Sequence, residues 1–211
     1  SYIEQIYALS NIPMVFIDSY SAIRQLSNVG IDDYKGGQLA AEYLIKNGHK
    51  HVAFVSPPNY DNGVVQHRLK GFMDVLAQHG LSLNSEHCFS VISDADPEQI
   101  NQAVDQLMLI KNEITAVFVT SDGLAASLIS GLHRYGLRIP ADLSVIGFDN
   151  MTISKQIYPP LTTIAQDLEL KAHLAVEILN GRLKNINSSA ESRILDVCLI
   201  ERESVINISD Q

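Results

Sequence analysis

The sequence predicts an α/β fold in which helices flank a mainly parallel sheet, and two observations support this prediction. First, short apolar runs with the length of buried strands alternate with longer amphipathic runs along the 211-residue chain. Second, residues 116–150 contain a complete unit of two such runs joined by a helix that ends near Gly136. Two buried strands joined by one helix run parallel, so their polar carboxyl ends meet at one edge of the sheet. That edge is the expected ligand site.

The elements before this unit follow from apolar spacing and from helix-capping residues. The predicted order is the tail of a helix over 1–11, strands at 14–17 and 27–31, a helix from Asp32 or Asp33 to Gly48, a strand at 51–55, a helix at 64–79, a strand at 88–92 and a helix from Asp96 to about Lys111. Asp96 is a clear helix start because Pro97 follows it and Gln99 lies three residues on. Phe54, Phe72, Phe118 and Phe148 are assigned to the core.

The unit itself has strands at 116–119 and 143–148, and the chain after it predicts one more helix. Residues 157–161 hold two prolines and are expected to be extended. A strand at 162–164 precedes a helix that Asp167 opens and Gly181 closes, with Leu170, Leu174 and Ile178 facing inward. A polar loop leads to a last strand at 194–200, and the tail after Ser204 is expected to fray.

Composition excludes several classes of function. The chain carries 15 basic and 24 acidic residues, a net charge of −9, so it is not expected to bind DNA specifically by itself. Cys88 and Cys198 lack metal-binding spacing and predict buried thiols in a reducing compartment. His49 and His51 are interpreted as surface residues, and enzyme motifs are absent, so no metal, cofactor or catalytic residue is predicted.

Specific motifs resemble the effector-binding core of the LacI/GalR family of bacterial transcription regulators. They are GLRIPADLSVIGFDN with the following YPPLTTIAQD, and upstream IDDYKGGQLAAEYLIKNGHKHVAFVSPP and HRLKGFMDVLAQHG. The resemblance covers roughly residues 12–204. It implies a two-lobed fold with parallel sheets, like the periplasmic sugar-binding proteins, in which residues 1–31 and 164–198 form an incomplete first lobe and residues 32–163 and 199–211 form the second. The family's helix-turn-helix headpiece would precede this sequence, which is expected to be a fragment of a longer regulator.

The resemblance and the predicted edge together nominate six ligand-binding residues. They are Asp18, Arg68, Ser121, Asp122, Asp149 and Leu168. Asp149 follows a buried strand, and its alternative role is a turn cap. Arg68, in RLKGF, matches a family arginine that points into the cleft, whereas the helical pattern alone fits a solvated arginine. Leu168 aligns with a position where relatives often place an aromatic ring. Removing either Asp149 or Arg68 is expected to leave the stability of the fold nearly unchanged.

These features predict the effector-sensing domain of a cytoplasmic, DNA-binding transcription regulator. The expected effector is a small polar molecule, a sugar or sugar phosphate, and operator DNA would be bound only through the absent headpiece. A solute-binding protein of a sugar transport system is the alternative, and an uncharacterised α/β enzyme is a third. The family also implies a homodimer, for which Leu124, Leu137, Tyr158 and Leu161 are the expected exposed apolar residues.

Overall fold

A computed structural model describes residues 12–19, 26–58, 63–186 and 188–209 and contains two sheets. The smaller sheet has the strand order β1-β2-β8 and is parallel throughout. Its strands are β1 (Val15–Ile17), β2 (Ser27–Ile31) and β8 (Ser192–Leu195). The predicted helix over 1–11 lies outside the described residues.

The larger sheet has six strands in the order β4-β3-β5-β6-β7-β9, and only the β7–β9 pair is antiparallel. Its strands are β3 (Val52–Ser56), β4 (Cys88–Ser90), β5 (Ala116–Val119), β6 (Ser144–Asp149), β7 (Thr162–Ala165) and β9 (Cys198–Ile200). The predicted α/β class with parallel sheets flanked by helices is confirmed.

Six α-helices lie in the described part of the chain. They are α1 (Asp33–Lys46), α2 (Val64–Gln78), α3 (Pro97–Leu109), α4 (Asp122–Arg134), α5 (Ile153–Gln156) and α6 (Leu168–Lys184). The side chains of Asp32, Asp96, Ser121 and Asp167 each accept a backbone N–H and so cap the helix that follows. None of these helices is long and apolar enough to cross a membrane.

Three apolar clusters hold the helices on the sheets. One cluster lies on the face of the large sheet that α3 and α4 cover, and the other face packs the four phenylalanines Phe54, Phe72, Phe118 and Phe148 under α1 and α2. Their predicted core positions are confirmed. In the small sheet, Val29 packs against Ala175 and Ile178 of α6.

The chain passes between the two sheets three times within the described residues. It leaves β2 for α1 at Ile31, leaves β7 for α6 at Ala165, and leaves β8 for β9 at Leu195. The third passage explains why one predicted strand at 194–200 is two short strands in different sheets. Gly181 does not end α6, because it lies inside the helix with open space around it, and α5 was not predicted.

Two predictions of exposure were wrong in opposite directions. Cys88 and Cys198 are exposed, because each lies in an edge strand whose alternate side chains face away from the core. His49 is fully buried, and its Nε2 donates to the Ile206 carbonyl at 3.0 Å. Burial lowers the pKa of His49 below its usual value.

The chain after Ser204 does not fray up to Ser209. The Ser204 hydroxyl donates to the Val145 carbonyl at 2.5 Å, and the Ile208 amide donates to the Asn47 carbonyl at 2.9 Å. These bonds join the tail to both β6 and the end of α1. The large sheet therefore includes the last described residues of the chain in its hydrogen-bond network.

Candidate functional site

A cleft of about 400 Å³ opens where the carboxyl ends of strands from both sheets meet. Its lining combines polar and charged side chains with apolar ones. The lining residues are Asp18, Pro57, Pro58, Val64, Val65, Arg68, Thr120, Ser121, Asp149, Met151, Gln166 and Leu168. Five of the six nominated residues, all except Asp122, line this one cleft.

Arg68 is a buried arginine of α2 whose direction is fixed on three sides. Its Nε donates to Asp33 Oδ1 at 2.8 Å, and its Nη1 donates to the Thr120 carbonyl at 2.7 Å. Its guanidinium carbon lies 3.5 Å from the centre of the Phe148 ring. The side chain is only 8% exposed, which contradicts the reading as a solvated arginine. Its guanidinium is thus preorganised at the cleft wall.

The close packing of α1 against α2 sets the position of Arg68. A Cβ on Gly37 would overlap the Arg68 carbonyl, and a Cβ on Gly71 would overlap the Tyr34 carbonyl. The two helices can approach this closely only because both positions are glycine. Asp33, at the start of α1, is thereby held within reach of Arg68.

Asp149 is the last residue of β6 and has the left-handed backbone angle φ = +106°. Gln166 Nε2 donates to its Oδ1 at 2.6 Å. Burial raises the pKa of the Asp149 carboxyl, although Arg68, Gln166 and Lys171 each oppose this shift. The chain turns sharply here and presents the carboxylate at the cleft.

Asp18 ends β1 on the opposite side of the cleft, also with a positive φ, of +51°. Lys171 Nζ donates to both of its carboxylate oxygens, at 2.8 and 2.7 Å. The same Nζ also donates to Gln166 Oε1. Asp18, Lys171, Gln166 and Asp149 therefore form one polar chain, which we call the cross-lobe chain. It joins the small sheet to the large one.

Lys171 was not nominated, because the helical pattern placed Leu170, Leu174 and Ile178 on the inner face. Leu170, which was predicted to face inward, is exposed, and the buried positions of α6 are Lys171, Ala175, Ile178 and Arg182. Lys171 is only 2% exposed, and its charge is neutralised by Asp18. The burial of Lys171 is explained by its ionic partner Asp18, which is too distant in sequence for a local pattern to reveal the pairing.

Asp122 has a different setting from the other nominated residues. It is fully buried, its Oδ1 accepts from the Thr163 hydroxyl at 2.6 Å, and its Oδ2 accepts from the Met151 amide at 2.7 Å. Burial raises the pKa of Asp122 to about 6. Its carboxylate holds the turn after Asp149 in place behind the cleft wall.

Ser121 and Leu168 occupy the starts of two helices beside the cleft. The Ser121 hydroxyl accepts from the Leu124 amide at 3.3 Å, so it caps α4 as well as lining the cleft. Leu168 is half exposed, and Val64, Val65 and Met151 are further apolar residues of the lining. A lining that combines charged and apolar groups suits a small molecule with hydroxyls and a carbon face.

Within the described residues, no group of three or more His, Cys, Asp or Glu side chains could hold a metal ion. Thr120 and Gln166 are further cleft residues that the sequence did not nominate. Both lie beside predicted site residues, but single polar side chains at strand ends carry no distinctive pattern.

The chain is similar to known bacterial transcriptional repressors. A family model described as a periplasmic binding protein-like domain matches residues 41–205. The chain is 31% identical over 200 residues to the HTH-type transcriptional repressor PurR of Photobacterium profundum, which is 95% of this chain and 59% of that protein. It is also 31% identical to the ribose operon repressor of Haemophilus influenzae, with 94% and 59% coverage. The chain thus spans about three fifths of the length of these relatives.

A solved structure has the same fold over almost the whole chain. It is the crystal structure of a LacI family transcriptional regulator from Enterococcus faecium with bound ribose, with a TM-score of 0.86 and 28% identity. The match covers 98% of this chain and 75% of that one. The order of the sheets and the cleft between them therefore belong to a fold that holds a sugar in that regulator.

Proposed function

Because this chain belongs to the periplasmic-binding-protein-like effector domains of the LacI/GalR regulators, we propose that it senses a small polar effector, a sugar or sugar phosphate, in the cleft. The observation that carries the proposal is that Arg68 and Asp149, which carry opposite charges, both line one cleft. A cation and an anion fixed in this way can hold two sides of a polyhydroxyl molecule through charge-assisted hydrogen bonds.

We propose two lobes, one around each sheet, close to the expected division into residues 1–31 with 164–198 and residues 32–163 with 199–211. The described elements β1, β2, α6 and β8 would belong to the first lobe. Strands β7 and β9 are paired in the large sheet, so residues 164, 165 and 198 would belong to the second lobe. The effector would contact Asp18 from the first lobe and Arg68, Ser121 and Asp149 from the second, with Leu168 against its apolar face. Asp122 supports Asp149 from behind the wall, which is a positioning role.

We infer that the whole protein is a cytoplasmic, DNA-binding transcription regulator. This inference rests on the named relatives, which are repressors. Effector binding would change the balance between two arrangements of the lobes and so the geometry of a dimer that presents the DNA-binding parts. The relatives argue against the alternative of a transport solute-binding protein, and no catalytic activity is assigned.

The test is a thermal-shift screen of the purified chain with sugars, sugar phosphates and nucleobases, followed by calorimetry on each hit. A ligand at about 100 times its Kd should stabilise the folded state by roughly 2.7 kcal/mol. Competition between hits would show that they share one site. A complete absence of binding across the panel would contradict the proposed function.

A further inference from the structure

The balance of fixed charges at the cleft is negative. Of the described residues in or directly paired to the cleft wall, the cations are Arg68 and Lys171, and the anions are Asp18, Asp33 and Asp149. Each cation already has an aspartate partner within 2.8 Å. The third carboxylate, that of Asp149, accepts a hydrogen bond from the neutral amide of Gln166.

A neighbouring hollow extends this imbalance. It shares Asp149, Gln166 and Leu168 with the cleft and adds the acids Asp167, Glu169 and Asp196. No lysine or arginine is among its described lining residues. This hollow, which lies beside two of the crossing segments, is therefore acidic in its described lining.

The helix dipole of α2 acts in the opposite direction. The start of α2 reaches the cleft at Val64 and Val65. A helix dipole supplies about half a positive charge at its N-terminus, which is less than the full charge of one carboxylate. The dipole of α2 therefore does not offset the surplus carboxylate.

We propose that the site selects an uncharged polyhydroxyl effector and discriminates against its phosphorylated form. A phosphate monoester carries nearly two negative charges at neutral pH and would meet Asp149 and the acidic hollow. Among the described lining residues and their direct partners, no cation without an aspartate partner is left to neutralise the phosphate. If Asp149 takes up a proton, the fixed charges of these described residues only cancel. This proposal rests on the proposed function and narrows it.

The test compares matched pairs of ligands by calorimetry at about pH 7.5, where a phosphate monoester with a second pKa of ~6 is mainly dianionic. The pairs are ribose with ribose 5-phosphate and glucose with glucose 6-phosphate, and inorganic phosphate is titrated alone. Whichever sugar binds should bind at least about tenfold more tightly than its own phosphate ester. Raising the salt concentration should narrow this ratio, because salt screens the repulsion and leaves the neutral sugar unaffected.

Two variants test the charge argument. Asp149→Asn should weaken binding of the neutral sugar but reduce its preference over the phosphate by about tenfold. Glu98→Gln removes an equal charge from an exposed position at the start of α3 and should leave the ratio unchanged. If Asp149→Asn does not fold, the salt dependence of the natural chain decides the same question.

The outcomes separate the two proposals. A sugar phosphate that binds more tightly than its sugar, or a ratio that does not depend on salt, would overturn the charge selection while supporting an effector site. Heat from no probe at all would count against the effector site itself and, with it, against the selection that rests on it.

Discussion

At the scale of single residues, Arg68 and Asp149 have the same predicted role in ligand binding, but their settings in the structure differ. Both line the cleft, but Arg68 also neutralises the buried carboxylate of Asp33 and packs on Phe148. Removing one member of a buried ion pair leaves the other charge unpaired and costs about 3–5 kcal/mol. These contacts replace the sequence-based expectation for Arg68: we now expect its removal to lower the free energy of unfolding.

We expect Asp149→Ala to lower effector affinity by about ten- to a hundredfold, because a charge-assisted hydrogen bond contributes roughly 1.5–3 kcal/mol. Its thermal stability should change by much less than that of Arg68→Ala, which should lose both affinity and stability. Calorimetry gives the affinities and urea unfolding gives the stabilities. Unchanged affinity in Asp149→Ala, with the fold intact, would return this residue to the role of a turn cap.

Asp122 should make stability depend on pH. Its pKa is about 6 in the folded protein, above the ordinary value of 3.8, so its contribution is most favourable below about pH 4 and is lost as the pH rises through 6. A shift of this size corresponds to about 3 kcal/mol. In Asp122→Asn the amide oxygen can accept from Met151 while its NH₂ group donates to Thr163, so the contacts survive without the titration.

The measurement for Asp122→Asn is urea unfolding between about pH 4 and pH 7. The variant should gain stability relative to the natural chain as the pH rises across this range. The lowered pKa of His49 makes the free energy of unfolding fall as the pH falls. This effect is the same in both proteins, so it cancels in the difference between them. Parallel pH profiles would contradict the raised pKa of Asp122.

At the scale of elements, the contact between α1 and α2 determines where Arg68 lies. Gly37→Ala places a methyl group against the Arg68 carbonyl, and the helices must separate. Overpacking of this kind costs about 1–3 kcal/mol and should also weaken effector binding, because Arg68 moves. The matched control is Gly181→Ala in α6, where open space surrounds the glycine and alanine should stabilise the helix by up to about 1 kcal/mol. Equal stability changes in the two variants would contradict this account.

The elements that depend on local pattern could be predicted from the sequence, and those that depend on distant partners could not. Helix starts at Asp96 and Asp167 follow from capping chemistry that lies within a few residues. The burial of Lys171 depends on Asp18, 153 positions away, and that of His49 on Ile206, 157 positions away. Neither pairing leaves a mark on the local spacing of apolar residues.

At the scale of the whole molecule, three of the four apolar residues that the sequence suggested for a homodimer contact are not exposed. Leu124, Leu137 and Leu161 are buried in the core beside α4, and only Tyr158 of the four is exposed, at 79%. We still expect a dimer at tens of micromolar, with Tyr158 in or near the contact, since exposed aromatic residues are enriched at interfaces. Sedimentation of the natural chain and of Tyr158→Ser tests this. A natural chain that is monomeric at that concentration would contradict the prediction.

This chain should have no sequence-specific affinity for DNA by itself. Its net charge is −9, which disfavours contact with the phosphates of a duplex. Fluorescence anisotropy with labelled duplexes at physiological salt measures this directly. Tight binding that distinguishes one duplex sequence from another would contradict it.

The path of the chain has a consequence for biosynthesis. In the large sheet, β3 is synthesised well before the edge strand β9 and the segment that bonds to β6 and α1. The chain leaves the ribosome starting from its N-terminus, so this sheet stays unfinished on the nascent chain until β9 and the residues up to Ser209 have emerged. A stop codon placed just before β9 should therefore yield a product with an open sheet edge, prone to aggregation and recognised by chaperones and proteases.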